Sequence, residues 1–128
     1  MKGRSALLIL ALIVLTGCTS QGANDDQFRH YFELPEFGQI TPDSARSALL
    51  KRFPLGTPAN EISTVLERRG IGKDSLNRYY PLDERGAIVC QIYRGSKNLV
   101  GERFIVTFLF DRAKKLKDIE VKQALTGM

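Results

Sequence analysis

Histidine and cysteine, the side chains most often used for nucleophilic catalysis and zinc binding, are scarce in this 128-residue chain. His30 is the only histidine, and no Cys, Asp or Glu cluster around it has the spacing of a zinc site. As a general base it would need a nucleophile and an orienting group, which the sequence does not single out. The segment GIGKD, residues 70–74, fails the phosphate-loop pattern, which requires Gly where Glu67 stands and Ser or Thr where Asp74 stands. We therefore predict no catalytic site, no metal and no cofactor, and we predict that the chain is not an enzyme.

Cys90 is one of two cysteines in the chain. In the segment AIVCQIYR, Ile88, Cys90 and Ile92 alternate with Val89, Gln91 and Tyr93, and this period of two predicts a strand. Free cysteines behave as small apolar groups, so we expect the Cys90 thiol to be buried. A redox-active thiol, or one bridged to another molecule, is the alternative.

Cys18, the other cysteine, ends a basic and then apolar N-terminal segment. Lys2 and Arg4 precede ten apolar residues, 6–15, which are about half the number that a helix needs to cross a bilayer. This pattern is typical of a signal peptide. The tetrapeptide LTGC at residues 15–18 resembles a bacterial lipobox, which implies that residues 1–17 are removed and that Cys18 carries acyl chains such as palmitate. Two or three acyl chains form a stable membrane anchor. An uncleaved signal anchor is the alternative.

The residue after Cys18 is Thr19. In lipoproteins of the enteric type an aspartate at this position retains the protein at the inner membrane, so the resemblance implies the outer membrane, with the domain facing the periplasm. Removal of residues 1–17 lowers the formal net charge from +5 to about +3. We therefore predict no nucleic-acid partner.

Residues 18–40 are predicted to comprise the lipidated Cys18, a flexible tether and an aromatic segment. The tether covers residues 19–27, which are polar apart from Ala23. In the aromatic segment, Phe28, Tyr31 and Phe32 have the spacing of one helical face. That face either packs on its own domain or contacts a partner or the membrane interface.

Residues 41–128 are predicted to form one small domain that begins with two helices. Thr41-Pro42 and Thr57-Pro58 each offer a capping hydroxyl followed by a proline suited to the first helical position. The first helix is predicted over residues 42–53. The second carries an apolar stripe and is predicted to end at Gly70.

After Gly70 the apolar period changes from 3.6 to 2, which predicts strands over residues 87–94, 102–110 and 116–122. The middle strand is expected to be central, since one side is apolar and the other, with Ile105, Thr107 and Leu109, is less polar than a solvated face. The long connector over residues 71–86 is either functional or hides a short strand. The predicted fold class is α+β in two layers, with a helical hairpin packed on a short antiparallel β-meander.

Between residues 55 and 121 the chain has a glycine and a threonine before an apolar helix, and later an apolar strand that ends in Phe-Asp before a basic turn. These residues are Gly56, Thr57, Ile62, Val65, Leu66, Phe108, Phe110, Asp111, Lys115 and Leu116. In this pattern the chain resembles the SmpA/OmlA family of small outer-membrane lipoproteins, the BamE type. The resemblance implies two helices on an antiparallel sheet and a non-catalytic role in envelope assembly. The chain lacks tryptophan, and at residues 68–71 it has RRGI where relatives often have Leu-Gly-x-Pro.

The function predicted from these features is that of a lipid-anchored envelope protein that binds and helps to assemble or stabilise another envelope protein. No small-molecule substrate is inferred. The alternatives are a periplasmic binding module that inhibits a hydrolase, and an envelope enzyme. Large aromatic residues outside regular core periodicity are typical interface anchors. The predicted partner contacts are Phe28, Tyr31, Phe32, Tyr79 and Tyr80.

A basic cluster is expected at the last hairpin of the meander. Such a cluster either meets anionic headgroups or forms a solvated hairpin tip that discourages edge pairing. Its members are Arg112, Lys114, Lys115 and Lys117.

Overall fold

The computed structural model describes residues 19–36, 38–73, 76–94 and 101–126, and its helices precede its strands. The helices are α1 (Thr19–Phe32), α2 (Pro42–Arg52) and α3 (Ala59–Arg68). The strands are β1 (Arg78–Tyr80), β2 (Ala87–Arg94), β3 (Gly101–Phe110) and β4 (Leu116–Thr126), and they form one antiparallel sheet in the order β1-β2-β3-β4. The predicted α+β fold, with helices packed on a β-meander, is confirmed. Cys18, the lipobox and residues 95–100 of the predicted β2–β3 connection lie outside the described residues.

The core lies between the helices and one face of the sheet. Four alternate residues of β3 are buried on that face, which confirms the predicted apolar side of a central strand: Phe104, Val106, Phe108 and Phe110. Ile92, Val121 and Ile119 lie beside them in the register of β2 and β4. The helices contribute the opposing layer, in which Leu49, Ile62 and Leu66 are fully buried.

The start of α2 confirms the predicted cap. Thr41 Oγ1 accepts the Ser44 N–H (3.1 Å), Ser44 Oγ accepts the Thr41 N–H (2.8 Å), and Pro42 is the first helical residue. This reciprocal pair satisfies two donors that the helix itself leaves without partners. The helix ends at Arg52, before the buried Phe53.

The predicted threonine cap of α3 is wrong. The Thr57 hydroxyl donates back to the Pro54 carbonyl (2.6 Å), and α3 begins at Ala59 with no side-chain cap. The Ala59 N–H donates instead to the Lys114 carbonyl (2.9 Å), in the turn before β4. The start of α3 therefore donates a hydrogen bond to a backbone carbonyl of a distant hairpin, whereas the sequence pattern predicts that a local threonine hydroxyl accepts it.

Gly70 ends α3 as predicted. It has φ +83°, and its N–H donates to the Glu67 carbonyl (3.1 Å), while the Ile71 N–H donates to the Leu66 carbonyl (3.2 Å). These two bonds form a Schellman motif, in which glycine is favoured because the residue adopts the left-handed conformation.

The predicted tether is wrong over residues 19–27, because these residues form the first turns of α1. The helix ends in a second Schellman motif at Glu33, whose φ of +56° is unusual for a residue other than glycine. The Glu33 N–H donates to the His30 carbonyl (3.3 Å), and the Leu34 N–H donates to the Arg29 carbonyl (2.9 Å).

The Glu33 carboxylate joins the ends of all three helices. It accepts hydrogen bonds from Arg52 (2.7 Å), Arg68 (2.8 Å) and Arg69 (2.8 Å). These bonds favour the charged carboxylate and lower the pKa of Glu33 from 4.5 to about 2. We call Glu33 and its three arginines the arginine clasp, and it explains how α1 keeps a strained residue at its end.

Candidate partner interface

Three of the predicted contact residues lie in the core. Phe28, Tyr31 and Phe32 are 1%, 5% and 0% exposed. The Phe28 ring lies 5.4 Å from that of Phe104, and the Phe32 ring lies 6.0 Å from that of Phe108. The aromatic face of α1 therefore packs on its own sheet, which is one of the two alternatives predicted from the sequence. These three buried residues are not available to a partner.

Asn77 holds this packing in place and was not identified from the sequence. It is 2% exposed, its Nδ2 donates to the Tyr31 hydroxyl (3.0 Å), and its Oδ1 accepts the Tyr93 N–H (2.7 Å). A buried amide of this kind requires partners, because an unsatisfied polar group in the core is costly. In the sequence Asn77 is a single asparagine before a short strand, and no local pattern predicts that its side chain is buried and bonded to Tyr31 and Tyr93.

The two remaining predicted contacts, Tyr79 and Tyr80, lie on opposite faces of the sheet. The connector forms the short strand β1, which was one of the two alternatives for this segment. Tyr79 stands opposite Cys90 on the helix side, packs against the core, and donates its hydroxyl to Glu67 (3.2 Å). Burial raises its pKa. Tyr80 stands opposite Val89 on the other face and is 45% exposed.

The face of the sheet opposite the helices is covered by no helix or strand of the described residues, and we call it the open face. Val89 lies at its centre, directly opposite Tyr80 on β1 and Thr107 on β3. Ile105 and Leu109 are its diagonal neighbours on β3. Val89, Ile105 and Leu109 are each partly exposed, so the open face has a continuous apolar centre.

Charged residues surround this apolar centre. Arg78 and Lys122 are exposed at the two ends of the row that contains Ile105. Arg103 donates to the Leu76 carbonyl (2.8 Å), and its guanidinium lies 5.8 Å from the centre of the Tyr93 ring. Glu120 is exposed beside Lys122. An apolar centre with a charged rim is typical of a transient protein-binding surface.

Val89, Ile105 and Leu109 were absent from the residues predicted to contact a partner. The signal for two of them was present in the sequence, since Ile105 and Leu109 alternate with the core residues of β3. The pairing of Tyr80 with Val89 could not be predicted from the sequence, because the register of two strands depends on residues that are distant along the chain.

His30 and Cys90, the two side chains considered for catalysis from the sequence, lie in different environments. His30 is exposed, with its Nε2 3.3 Å from the Arg69 carbonyl oxygen. Cys90 is fully buried, and burial raises the pKa of its thiol. Among the described residues no group of three or more His, Cys, Asp or Glu side chains could hold a metal ion. No helix in the described ranges is long and apolar enough to cross a bilayer.

No protein-family model, curated protein or solved structure matches the chain. The resemblance to the SmpA/OmlA lipoproteins therefore rests on the sequence motifs alone.

Proposed function

We propose that the protein is a lipid-anchored, non-catalytic component of the bacterial envelope. In this proposal Cys18 anchors it in the outer membrane, the domain faces the periplasm, and the open face binds another envelope protein that it helps to assemble or stabilise. The observation that carries the binding role is the apolar centre of the open face, formed by Tyr80, Val89, Ile105 and Leu109. The lipobox and the family resemblance support the location.

The open face supports binding because its residues differ from those of a sheet face that stays in water. A solvated face of an antiparallel sheet normally alternates polar residues with the core residues. Here Tyr80, Val89, Ile105 and Leu109 form a contiguous apolar centre, while polar Gln91 and charged Arg103 lie beside it and Arg78, Glu120 and Lys122 lie at the ends of the rows. A large residue such as Tyr80, half exposed beside an apolar neighbour, is a typical binding anchor.

The direction of α1 supports an orientation for the anchored domain. Phe28 contacts Phe104 and Phe32 contacts Phe108, so α1 runs in the same direction as β3. Thr19, the first residue of α1, therefore lies toward the end of the sheet at which β3 begins. An acyl anchor on the preceding Cys18 would place the membrane at that end, with the open face turned sideways and accessible to a neighbouring protein.

The basic hairpin tip lies at the other end of the sheet. Residues 111–115 follow the last residue of β3, and a strand of ten residues is about 33 Å long. This distance favours the solvated-tip interpretation over headgroup contact for Arg112, Lys114, Lys115 and Lys117, the last at the second position of β4, because electrostatic attraction to a membrane decays within a Debye length. We therefore do not include these residues in the membrane contact.

Photo-crosslinking in intact membranes tests the proposed binding face. A photoreactive phenylalanine derivative at Tyr80 is expected to capture one recurring envelope protein. The Leu109→Arg substitution adds charge to the apolar centre and should lower that capture by about tenfold or more. Leu55, 61% exposed in the loop before α3, provides the matched control, since Leu55→Arg adds the same charge elsewhere.

Equal capture by the Leu109→Arg and Leu55→Arg variants would contradict the proposed face. Recovery of monomer alone would contradict partner binding altogether. The anchor is tested separately, because Cys18→Ser should abolish fatty-acid labelling and release the chain from the membrane. Labelling that persists in this variant would refute the lipobox interpretation.

A further inference from the structure

β4 is the edge strand of the sheet beside β3, and its backbone groups alternate between the two sides of the strand. The Phe110 N–H donates to the Gly86 carbonyl, on the β2 side of β3, so Phe108 also directs its backbone groups toward β2. Ile119, which is opposite Phe108, therefore directs its N–H and C=O away from the sheet. The same holds for every second residue after it, namely Val121, Gln123 and Leu125.

Helix α2 covers the first part of this outward edge. Arg46 Nε donates to the Ile119 carbonyl (2.8 Å), and Asp118 Oδ1 accepts the Ile119 N–H (2.8 Å). Arg46 Nη2 also donates to Asp118 Oδ1 (2.7 Å), which fixes both side chains. Both outward groups of Ile119 are thus satisfied within the chain.

In the part of the chain that the structure describes, the second part of the edge has no such cover. Among the described residues, no hydrogen bond reaches the outward backbone groups of Val121 or Gln123. Gln123 is exposed, and its side chain is drawn sideways to Glu102 (2.8 Å) rather than over the edge. An unpaired strand edge is a template for another strand, and proteins usually protect it. Here the protection ends at Ile119.

We infer that residues 121–125 of β4 pair with the same residues of a second copy of this chain, antiparallel and centred on Gln123. This register aligns Val121 with Leu125 and Gln123 with Gln123, so the outward groups of all three residues find partners. It also aligns Lys122 with Ala124, so that no like charges stand directly opposite one another. The two edges would form up to six backbone hydrogen bonds and one continuous eight-stranded sheet.

The other symmetric registers are less suitable. Centring on Lys122 places the two Lys122 side chains directly opposite, and like charges at such a position are destabilising. Centring on Val121 requires the outward groups of Ile119, which Arg46 and Asp118 already occupy. The Arg46 contact therefore excludes the registers that need Ile119, and centring on Gln123 is the register in which the outward groups of Val121, Gln123 and Leu125 all pair with one another.

The helices do not obstruct this pairing. Arg46 fixes α2 over Ile119, and in the proposed register the two Ile119 residues are eight residues apart along the strands, which is about 26 Å. Helix α1 packs against β2 and β3. The pairing uses the edge of the sheet and leaves the open face free, so it does not rest on the proposed function.

Site-specific crosslinking of the full chain in intact cells tests the pairing. Gln123→Cys would place two thiols on opposed residues whose Cα atoms are about 5.5 Å apart. We expect a short thiol crosslinker to yield a product of twice the monomer mass. Glu120→Cys is the matched control, because it is an exposed position of the same strand that lies about 20 Å from its symmetry mate in this register.

A second measurement removes the edge donor without removing a bond inside the sheet. Gln123→Pro deletes an N–H that points outward, and proline is tolerated at such positions of an edge strand. Loss of two hydrogen bonds per dimer should raise the dimer dissociation constant about 30-fold in sedimentation equilibrium of the full chain in detergent, whereas Gln123→Ala should leave it unchanged.

Crosslinking at residue 123 but not at 120, with weakened association of Gln123→Pro, would establish the pairing. Equal crosslinking at both positions would overturn it. So would crosslinked products of other masses only, absence of a product at residue 123, or equal association of the Gln123→Pro and Gln123→Ala chains. Because crosslinking does not use the proline variant, a folding defect of that variant would leave the first test intact.

Discussion

The two faces of β3 carry apolar residues in alternation, but the residues that the structure describes cover only one of them. Phe104, Val106 and Phe108 are buried beneath the helices, whereas Ile105 and Leu109 are partly exposed on the open face. Alternation along the strand therefore does not separate core from surface in this protein. What separates them is the position of α1, which packs Phe28 and Phe32 on one face only.

The arginine clasp explains why α1 stays on that face. The left-handed conformation of Glu33 costs about 1 kcal/mol or more, and hydrogen bonds from three arginines offset that cost. The covered face is thus maintained by buried rings together with an ionic contact at the end of the helix. The open face has neither, which is consistent with a surface that serves binding.

The largest expected difference between the faces is in cysteine reactivity. Cys90 lies on the covered face, and its thiol should react with maleimide only when the protein unfolds. In a chain with Cys18→Ser, we expect Cys90 to react several thousand-fold more slowly than in denaturant, which corresponds to a stability of about 5 kcal/mol. Mass spectrometry of timed samples measures this rate.

The matched control places a thiol on the open face of the same chain. Ile105→Cys, in a chain with Cys18→Ser and Cys90→Ala, should react within about tenfold of the unfolded rate because residue 105 is partly exposed. Similar protection of Cys90 and Cys at position 105 would mean that the open face is covered, and the comparison between the faces would fail.

Adjacent residues of β3 should differ strongly in their effect on stability. Phe108→Ala removes a fully buried ring that contacts Phe32 and Phe53, and should lower the free energy of unfolding by about 3–5 kcal/mol. Leu109→Ala should lower it by about 1 kcal/mol, because Leu109 is partly exposed. Urea denaturation compares the two variants, and equal losses would contradict the assignment of the faces.

The arginine clasp predicts a pH dependence of stability. Hydrogen bonds from Arg68, Arg69 and Arg52 lower the pKa of Glu33 from 4.5 to about 2. The folded state therefore gains stability above pH 4.5, and this gain is lost as the pH falls from 4.5 toward 2. Glu33→Gln should cost about 1–2 kcal/mol at pH 7, because the surrounding arginines are partly solvated, and this difference should shrink toward pH 2.

Two further variants at residue 33 distinguish the stability contributed by the arginine clasp from the cost of the positive φ angle. Glu33→Ala and Glu33→Gly both remove the carboxylate, but glycine adopts positive φ without strain. We expect the glycine variant to be more stable than the alanine variant by about 1 kcal/mol in urea denaturation.

For the pH dependence, a constant difference in the free energy of unfolding between wild type and Glu33→Gln from pH 7 to pH 2 would show that the clasp is not ionic.

Features encoded by nearby residues could be predicted from the sequence. The α2 cap uses Thr41, Pro42 and Ser44, which are adjacent, and the end of α3 depends on Gly70. The alternation along β3 identified the buried side of the strand. In each case the residues that determine the structure lie within one turn or one strand of one another, so the local sequence pattern is enough to predict it.

Features that depend on distant residues could not be predicted. Thr57-Pro58 repeats the pattern of Thr41-Pro42, yet α3 receives its first backbone contact from Lys114, which lies more than 50 residues away in the chain. From the sequence, the aromatic face of α1 was compatible with a partner or with the sheet, and the contacts with Phe104 and Phe108 that decide between them join distant residues. The open face likewise depends on the register between β1 and β2.

The adjacent tyrosines of β1 provide the smallest and most local test of the two faces. Tyr79→Phe removes a hydroxyl that donates to Glu67 on the helix side, and should cost about 0.5–1 kcal/mol of stability. Tyr80→Phe alters a half-exposed side chain on the open face and should change stability by less than about 0.5 kcal/mol. Since burial raises the pKa of Tyr79, spectrophotometric titration should show a phenol with an elevated pKa that disappears in Tyr79→Phe but persists in Tyr80→Phe. Loss of that phenol in Tyr80→Phe would mean that the register of β1 is shifted by one residue, which would exchange the two faces at this edge of the sheet.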